Sequence, residues 1–227
     1  MGFEEEFATE STKLLKEVLL PHGAKLTDKI DELGRDSDDH VAYYSYLKDF
    51  LINSGCLCDD ILQAAQNDAV LLAMIGTRTL LEDAINAHYL QSKTDEAARI
   101  AMAVDWFRIT NAPEAYKNKV DGKTVIQRAE AAGADAKALY DGEYAEFCNY
   151  THSTAQRAIL NMPDQRSLLR KKTILGSLKA YANIVTCIAE ILGEEAPKGL
   201  IDAVKSYLDK YRDSVMEAPL PPITDPS

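Results

Sequence analysis

Apolar side chains recur at intervals of three and four residues along most of the chain, which is the spacing that places them on one face of an α-helix. A segment from Asp164 to about Leu192 carries a seam of this kind, made of Leu168, Leu175, Leu178, Ala182, Val185, Ala189 and Leu192. A last amphipathic helix is predicted from Pro197 to about Glu217. No alternating run bounded by hairpin turns predicts a strand. The pattern predicts an all-α, multi-helix bundle of seven or eight helices with no sheet.

The first half of the chain predicts long helices separated by Gly, Pro and Asn. A first helix is interrupted at residues 21–23, and a second runs from Val41 to residues 53–55. A long central helix is predicted from Asp59 to Gln91. The remaining predicted helices are at residues 94–111, 114–119, 123–132 and 135–160.

Composition agrees with one folded domain over residues 1–218, followed by a Pro-rich tail, residues 219–227, that is predicted to be disordered. The chain has 227 residues and a formal charge of -11, which works against an extensive nucleic-acid surface. No signal peptide and no apolar run of membrane-spanning length is recognised, so a bacterial, cytoplasmic protein without membrane contact is expected. The four cysteines are too sparse for a disulfide framework and are expected to be buried free thiols.

Two charged residues interrupt an apolar stripe of the central helix. The stripe consists of Leu71, Ile75, Arg78, Glu82, Ile85 and Tyr89, which are three or four positions apart. Arg78 and Glu82 therefore share a face with aliphatic residues that should be buried. Because an isolated buried charge is costly, the two must be bonded to each other or to groups of another helix.

The predicted helix of residues 135–160 has a similar face, on which Tyr140, Tyr144, Cys148 and His152 lie. Cys148 and His152 have the i, i+4 spacing of a helical metal-ligand pair. Two ligands do not make a zinc site, and the other cysteines supply no third ligand at a familiar spacing. We therefore predict no metal and no cofactor.

The segment 78–90, the helix of residues 97–107 and the segment 144–152 together resemble a group of uncharacterised bacterial helical proteins. In these, an R-x3-E helix precedes a Tyr-to-His segment, and the resemblance covers roughly residues 60 to 160. It implies an all-α fold that is loosely similar to HEPN domains, and it carries no established activity.

HEPN ribonucleases use an Arg and a His four to six residues apart to hold the phosphate and activate the ribose hydroxyl. The one forward match here, Arg35 to His40, has three carboxylates between the pair that would repel a phosphate. His152 and Arg157 occur in the reverse order. These departures count against nuclease activity.

Three interpretations of Arg78, Glu82, Tyr144 and His152 follow. They form a buried network that fixes helix register, or they line an interhelical pocket for a small anionic or nucleotide-like ligand, or they are catalytic. In the catalytic alternative, a HEPN-like metal-independent ribonuclease of the toxin or defence type, His152 is the base and Glu82 orients it. Binding or interaction is favoured over catalysis, and a homodimer is expected. The basic residues at the start of the seam helix are expected to form a solvated face: Arg166, Arg170, Lys171, Lys172 and Lys179.

Overall fold

The computed structural model describes residues 2–35, 40–111, 122–152, 158–195 and 197–216. Within these ranges the chain forms eight helices and no β-sheet, which confirms the predicted all-α bundle. They are α1 (residues 3–35), α2 (Val41–Gln66), α3 (Val70–Gln91), α4 (Glu96–Asn111), α5 (Val125–Ala132), α6 (residues 134–152), α7 (Pro163–Ile191) and α8 (Lys198–Met216). The predicted helix of residues 114–119 and the tail of residues 219–227 lie outside the described residues.

Helices α3 and α7 run side by side and in the same direction through the centre of the bundle. Thr77 Oγ1 donates to the Thr173 carbonyl at 3.3 Å, and further along both helices His88 Nε2 lies 2.9 Å from Asn183 Oδ1. Helix α2 packs on both, and α5 and α6 pack on α3. The centre of this contact is fully buried and apolar, with Leu80, Leu81, Ala84, Leu178, Ile184 and Val185 at 0% exposure.

Helix α1 passes through Pro21 without the predicted break. Pro21 has no N–H to donate, and its ring crowds the carbonyl four residues earlier. The preceding turn, Leu14–Leu19, is a π-helix, whose wider backbone relieves that crowding. The helix then continues over Leu20–Arg35, so the predicted interruption at residues 21–23 is wrong.

Helix α2 also continues past its predicted end at residues 53–55. Gly55 is buried mid-helix, and a Cβ added there would lie 2.8 Å from the hydroxyl of Tyr181 on α7. The glycine is needed because the helices approach closely, whereas the sequence pattern was interpreted as a helix end. Glycine serves both purposes, and only the fold distinguishes them.

The true break in the predicted long helix of residues 59–91 lies at residues 67–69. Asp68 has a φ of 61°, and its N–H donates to the Ala65 carbonyl at 3.2 Å. The Ala69 N–H donates to the Ala64 carbonyl at 2.8 Å, which completes a Schellman motif. The prediction of one helix from Asp59 to Gln91 is therefore wrong, because this cap ends α2 and α3 starts afresh.

Replacing Gly55 by Ala is expected to destabilise the protein by about 1–3 kcal/mol, because the added methyl overpacks the contact with Tyr181. Urea unfolding followed by circular dichroism measures this. In a Tyr181→Phe background the same substitution should cost less, since the nearest atom is removed. Gly199→Ala on α8 is the control, because no atom lies within 4 Å of the added Cβ. An equal cost of Gly55→Ala in both backgrounds would rule out the close approach as its cause.

The stripe predicted on the central helix is only partly buried. Ile85 and Tyr89 are buried, but Ile75 is 44% exposed and Leu71 is half-buried. Helices α5 and α6 cover the later turns of α3, where Glu82 meets both of them. The prediction that the whole stripe is buried is therefore wrong at its start.

Helix α7 is, among the described residues, long and apolar enough to cross a membrane by length and composition, although the sequence pattern predicted no such run. Of its most apolar stretch of 18 residues, 67% is buried inside the bundle, as in the core helix of a soluble protein. The cysteines differ from the prediction as well. Cys58 and Cys187 are buried free thiols, whereas Cys56 is exposed and Cys148 is half-buried.

Candidate functional site

Four polar side chains from three helices meet on the later turns of α3, and we call them the polar cluster: Arg78, Glu82, Arg128 and Tyr144. Glu82 is at its centre. Arg128 Nη2 of α5 donates to Glu82 Oε1 at 2.9 Å, and Tyr144 Oη of α6 donates to Glu82 Oε2 at 3.2 Å. The Arg78 guanidinium carbon lies 5.8 Å from the centroid of the Tyr144 ring.

Local structure fixes the position of Arg128. A capping box at Thr124 and Gln127 starts α5, with the Thr124 N–H donating to Gln127 Oε1 at 3.0 Å. Arg128 directly follows Gln127, and its Nη1 donates to the Lys123 carbonyl at 3.0 Å. The capped helix start therefore holds one edge of the guanidinium while Glu82 holds the other.

Tyr144 closes a π-helical turn, Tyr140–Tyr144, inside α6. Such wide turns change which face the following residues occupy and are frequent at functional sites. Tyr140 and Tyr144 lie four residues apart with ring centroids 5.4 Å from each other. The turn thus directs the Tyr144 hydroxyl at Glu82.

Burial differs sharply across the cluster. The Arg128 side chain is 1% exposed, whereas that of Glu82 is 33% exposed. Burial lowers the pKa of Arg128, and the adjacent Glu82 carboxylate partly offsets this. Burial and the negative charge of Glu82 raise the pKa of Tyr144, so its hydroxyl stays protonated and able to donate. The cluster is therefore sealed at Arg128 and reachable by water at Glu82.

Arg78 differs from Arg128 in having no carboxylate within ion-pair distance among the described residues. Its Nε, like that of Arg128, is buried and has no hydrogen-bond partner among those residues, so the missing carboxylate is what distinguishes Arg78. Burial by itself lowers the pKa of Arg78, but the Tyr144 hydroxyl and the Cys148 thiol beside it raise the pKa above the ordinary value. Arg78 is thus a half-buried cation that no carboxylate of the described residues pairs with.

Asp83 follows Glu82 on α3 and lies on the side of the helix that faces α2. Burial, together with the neighbouring Glu82 charge, raises the pKa of Asp83 to about 7. Desolvation raises the pKa of the half-buried Tyr46 of α2, and the charge of Asp83 contributes to this rise. Asp83 therefore changes its charge near neutral pH.

The structure brings three of the predicted site residues together, namely Arg78, Glu82 and Tyr144. The side chain of His152 lies outside the described residues, and so does Arg157, its partner in the reversed HEPN-like pair. In the forward pair, the side chain of Arg35 and residues 36–39 also lie outside the described part of the chain. The geometry of the cluster therefore rests on Arg78, Glu82 and Tyr144, together with Arg128.

Arg128 was not predicted from the sequence. It lies in the short helix Val125–Ala132 and shares a face with those two apolar residues, three positions before it and four after it, so it interrupts an apolar face just as Arg78 does. The same test for a charge on an apolar face identifies it. His88, one position before Tyr89 of the stripe, faces α7 and forms a hydrogen bond with Asn183.

In the described part of the chain, no group of three or more His, Cys, Asp or Glu side chains is arranged to hold a metal ion. Cys148, the described member of the predicted i, i+4 pair with His152, lies beside Arg78.

The basic residues at the start of α7 are not a solvated face, which corrects the prediction. Each forms an ion pair with a carboxylate from elsewhere in the chain: Arg166 with Asp68, Arg170 and Lys171 with Glu4, Lys172 with Glu146, and Lys179 with Glu143. These pairs connect α7 to α1, to α6 and to the turn before α3. Four carboxylates pair with the five cations, because Arg170 and Lys171 share Glu4, and the small net charge that is left disfavours a phosphate patch on α7.

No family model matches the sequence, no curated protein matches it, and no solved structure matches its fold.

Proposed function

We propose that this chain is a binding module that takes a small anionic ligand at the polar cluster, with Arg78 as the contact to the anion. The observation that carries the proposal is the half-buried Arg78 guanidinium without a carboxylate partner among the described residues. Arginine in such surroundings is usually paired with a carboxylate or a phosphate, because its N–H groups match two oxygens at once. A ligand oxygen would supply the missing partner.

The net charge of the polar cluster favours an anionic ligand. The cluster holds two guanidinium groups, Arg78 and Arg128, and one carboxylate, Glu82. Arg128 neutralises Glu82 through the bond at 2.9 Å, so within the described part of the chain the cluster has no carboxylate left to balance the charge of Arg78. A local positive charge in a chain of formal charge -11 favours small anions over extended polyanions, which the rest of the surface repels.

The other three members have a supporting part in the proposal. Both oxygens of Glu82 already accept hydrogen bonds, from Arg128 and from Tyr144. Glu82 is therefore suited to hold α3, α5 and α6 together, and less suited to orient a catalytic histidine. Under this proposal Glu82, Arg128 and Tyr144 form the sides of the ligand site, and Arg78 binds the anionic group of the ligand.

We expect Arg78→Gln to abolish the binding of small phosphate-bearing anions while changing the stability of the free protein little. Thermal shift with inorganic phosphate, pyrophosphate and nucleoside monophosphates measures the first, and urea unfolding measures the second. Wild type should be stabilised by at least one of these anions.

The matched control is Arg166→Gln, since Arg166 is also a helical arginine but is paired with Asp68 at 2.9 Å. It should keep the full anion response. If no anion in the panel stabilises the wild type, or if Arg78→Gln lowers stability without affecting any ligand response, the cluster is a structural network and the proposal is wrong.

Self-association is a separate proposal that needs its own test. Leu72 and Ile75 are 64% and 44% exposed on one side of α3, and together they supply apolar surface suited to a second copy of the chain. Light scattering across a range of concentrations measures the mass, and a single-chain mass throughout would contradict a homodimer.

A further inference from the structure

A recess that we call the α6–α7 groove is lined by residues of α6, α7 and α8, none of which belongs to the polar cluster. It has a volume of about 290 Å³. Its floor is apolar and is formed by Phe147, Leu175, Gly176 and Leu208 from three helices. Gly176 allows close packing beneath the groove, because a Cβ there would lie 3.3 Å from Thr77 Cγ2 and 3.4 Å from the Phe147 ring. The groove is therefore wide enough for a small ligand with a hydrocarbon body.

Two ion pairs between α6 and α7 stand at the edges of the groove. Lys179 Nζ donates to Glu143 Oε1 at 2.5 Å, and Lys172 Nζ donates to Glu146 Oε1 at 2.8 Å. Each lysine is thereby engaged by a carboxylate oxygen. Arg212 at the outer rim is 65% exposed and lies 3.8 Å from the Asp209 carboxylate, so water screens its charge.

Glu143 differs from Glu146 in one respect. Its second oxygen, Oε2, is buried and has no hydrogen-bond partner among the described residues. This oxygen lies 3.7 Å from the position of a Cβ on Gly176, and both residues line the groove, so the oxygen lies just beneath the groove's floor. A buried carboxylate oxygen without a donor is unfavourable, and a ligand N–H that reached it would relieve that cost.

We propose that the α6–α7 groove binds small apolar amines, with the ammonium group donating to Glu143 Oε2 and the hydrocarbon body lying on Phe147, Leu175 and Leu208. An anion would be repelled by the same oxygen. A neutral hydrocarbon would cover the floor and leave the oxygen without a partner. The site is separate from the polar cluster, and its ligand has the opposite charge.

The probes are n-hexylamine and 2-phenylethylamine, with 1-hexanol and hexanoate as uncharged and negatively charged comparisons. Binding is measured with the full chain by amide chemical-shift changes at Gly142 and Gly176. Both amines should bind at millimolar concentrations with shifts confined to the groove. Hexanol and hexanoate should bind at least about tenfold more weakly, the ratio that corresponds to one charge-assisted contact.

Two isosteric variants distinguish the contribution of Glu143 Oε2, the oxygen without a hydrogen-bond partner, from that of the ion pairs. Glu143→Gln and Glu146→Gln each remove one carboxylate paired with a lysine of α7, so urea unfolding should show similar small losses of stability. Only Glu143→Gln should weaken amine binding, by about tenfold. Equal amine affinity in the wild type and Glu143→Gln, equal losses in both variants, or no shifts with either amine would each overturn the proposal. Because the readout is local to the groove, the outcome is independent of anion binding at Arg78.

Discussion

Glu82→Ala is expected to destabilise the fold by about 3 kcal/mol, the low end of the cost of removing one partner from a buried ion pair, because Glu82 is itself 33% exposed. The reason is the 1% exposure of Arg128, which cannot reach water when its carboxylate is lost. Tyr144 loses its acceptor in the same variant. Denaturant unfolding monitored by circular dichroism measures the loss.

Removing the other partner of the ion pair, Arg128, should destabilise the fold less. In Arg128→Met the remaining charge is Glu82, which is 33% exposed and can be solvated, so about 1–2 kcal/mol is expected. A double variant, Glu82→Leu with Arg128→Met, should recover most of the loss seen in Glu82→Ala. Asp141→Ala is the control, because its pair with Lys137 is exposed and should contribute less than about 1 kcal/mol. If Glu82→Ala costs no more than this control, Arg128 is not held as described.

Asp83→Asn is expected to stabilise the protein above neutral pH and to have much less effect in acid. The folded-state pKa of Asp83 is raised to about 7, from 3.8. Between these values the unfolded chain has released the proton and the folded chain has kept it. Stability therefore falls as pH rises from about 4 to about 7, and the full penalty remains at higher pH.

The size of this effect has an upper bound. The difference between the two pKa values corresponds to at most about 4 kcal/mol, and water reaching the half-buried side chain reduces it to about 1–3 kcal/mol. Unfolding of the wild type and Asp83→Asn at acid and alkaline pH gives the value as a difference in which other titrating groups cancel. Asp60→Asn, at an exposed position of α2, is the control. A difference that stays constant with pH, or that grows in acid, would contradict the burial of Asp83.

The sequence predicted what depends on local spacing. Helical periodicity identified the bundle and the late helices α7 and α8, and the interruption of an apolar stripe identified Arg78 and Glu82 as unusual. These signals lie within one helix, so they can be interpreted without knowledge of the neighbouring helices. The convergence of Tyr144 on Glu82 was left open because the two residues are 62 positions apart.

The sequence-based predictions were wrong where contacts between helices determine where a helix ends or which charges pair. Gly55 was interpreted as a helix end because its role depends on the Tyr181 hydroxyl of another helix. Pro21 was interpreted as a break because a π-helical turn is not visible in the periodicity. The pairing of the α7 basic residues depends on carboxylates as distant as Glu4, which local pattern cannot supply.

We propose that Arg78 is open to solvent and binds an anion, whereas the Arg128 side chain, at 1% exposure, is sealed in the bundle. Modification by phenylglyoxal, an arginine-selective dicarbonyl, followed by mass spectrometry of the individual peptides, tests both halves in one measurement. In the folded chain, Arg78 should be modified, Arg128 should resist, and pyrophosphate should protect Arg78 but not the exposed Arg212. If Arg78 resists modification, or if pyrophosphate does not protect it, the proposed anion site at Arg78 is contradicted.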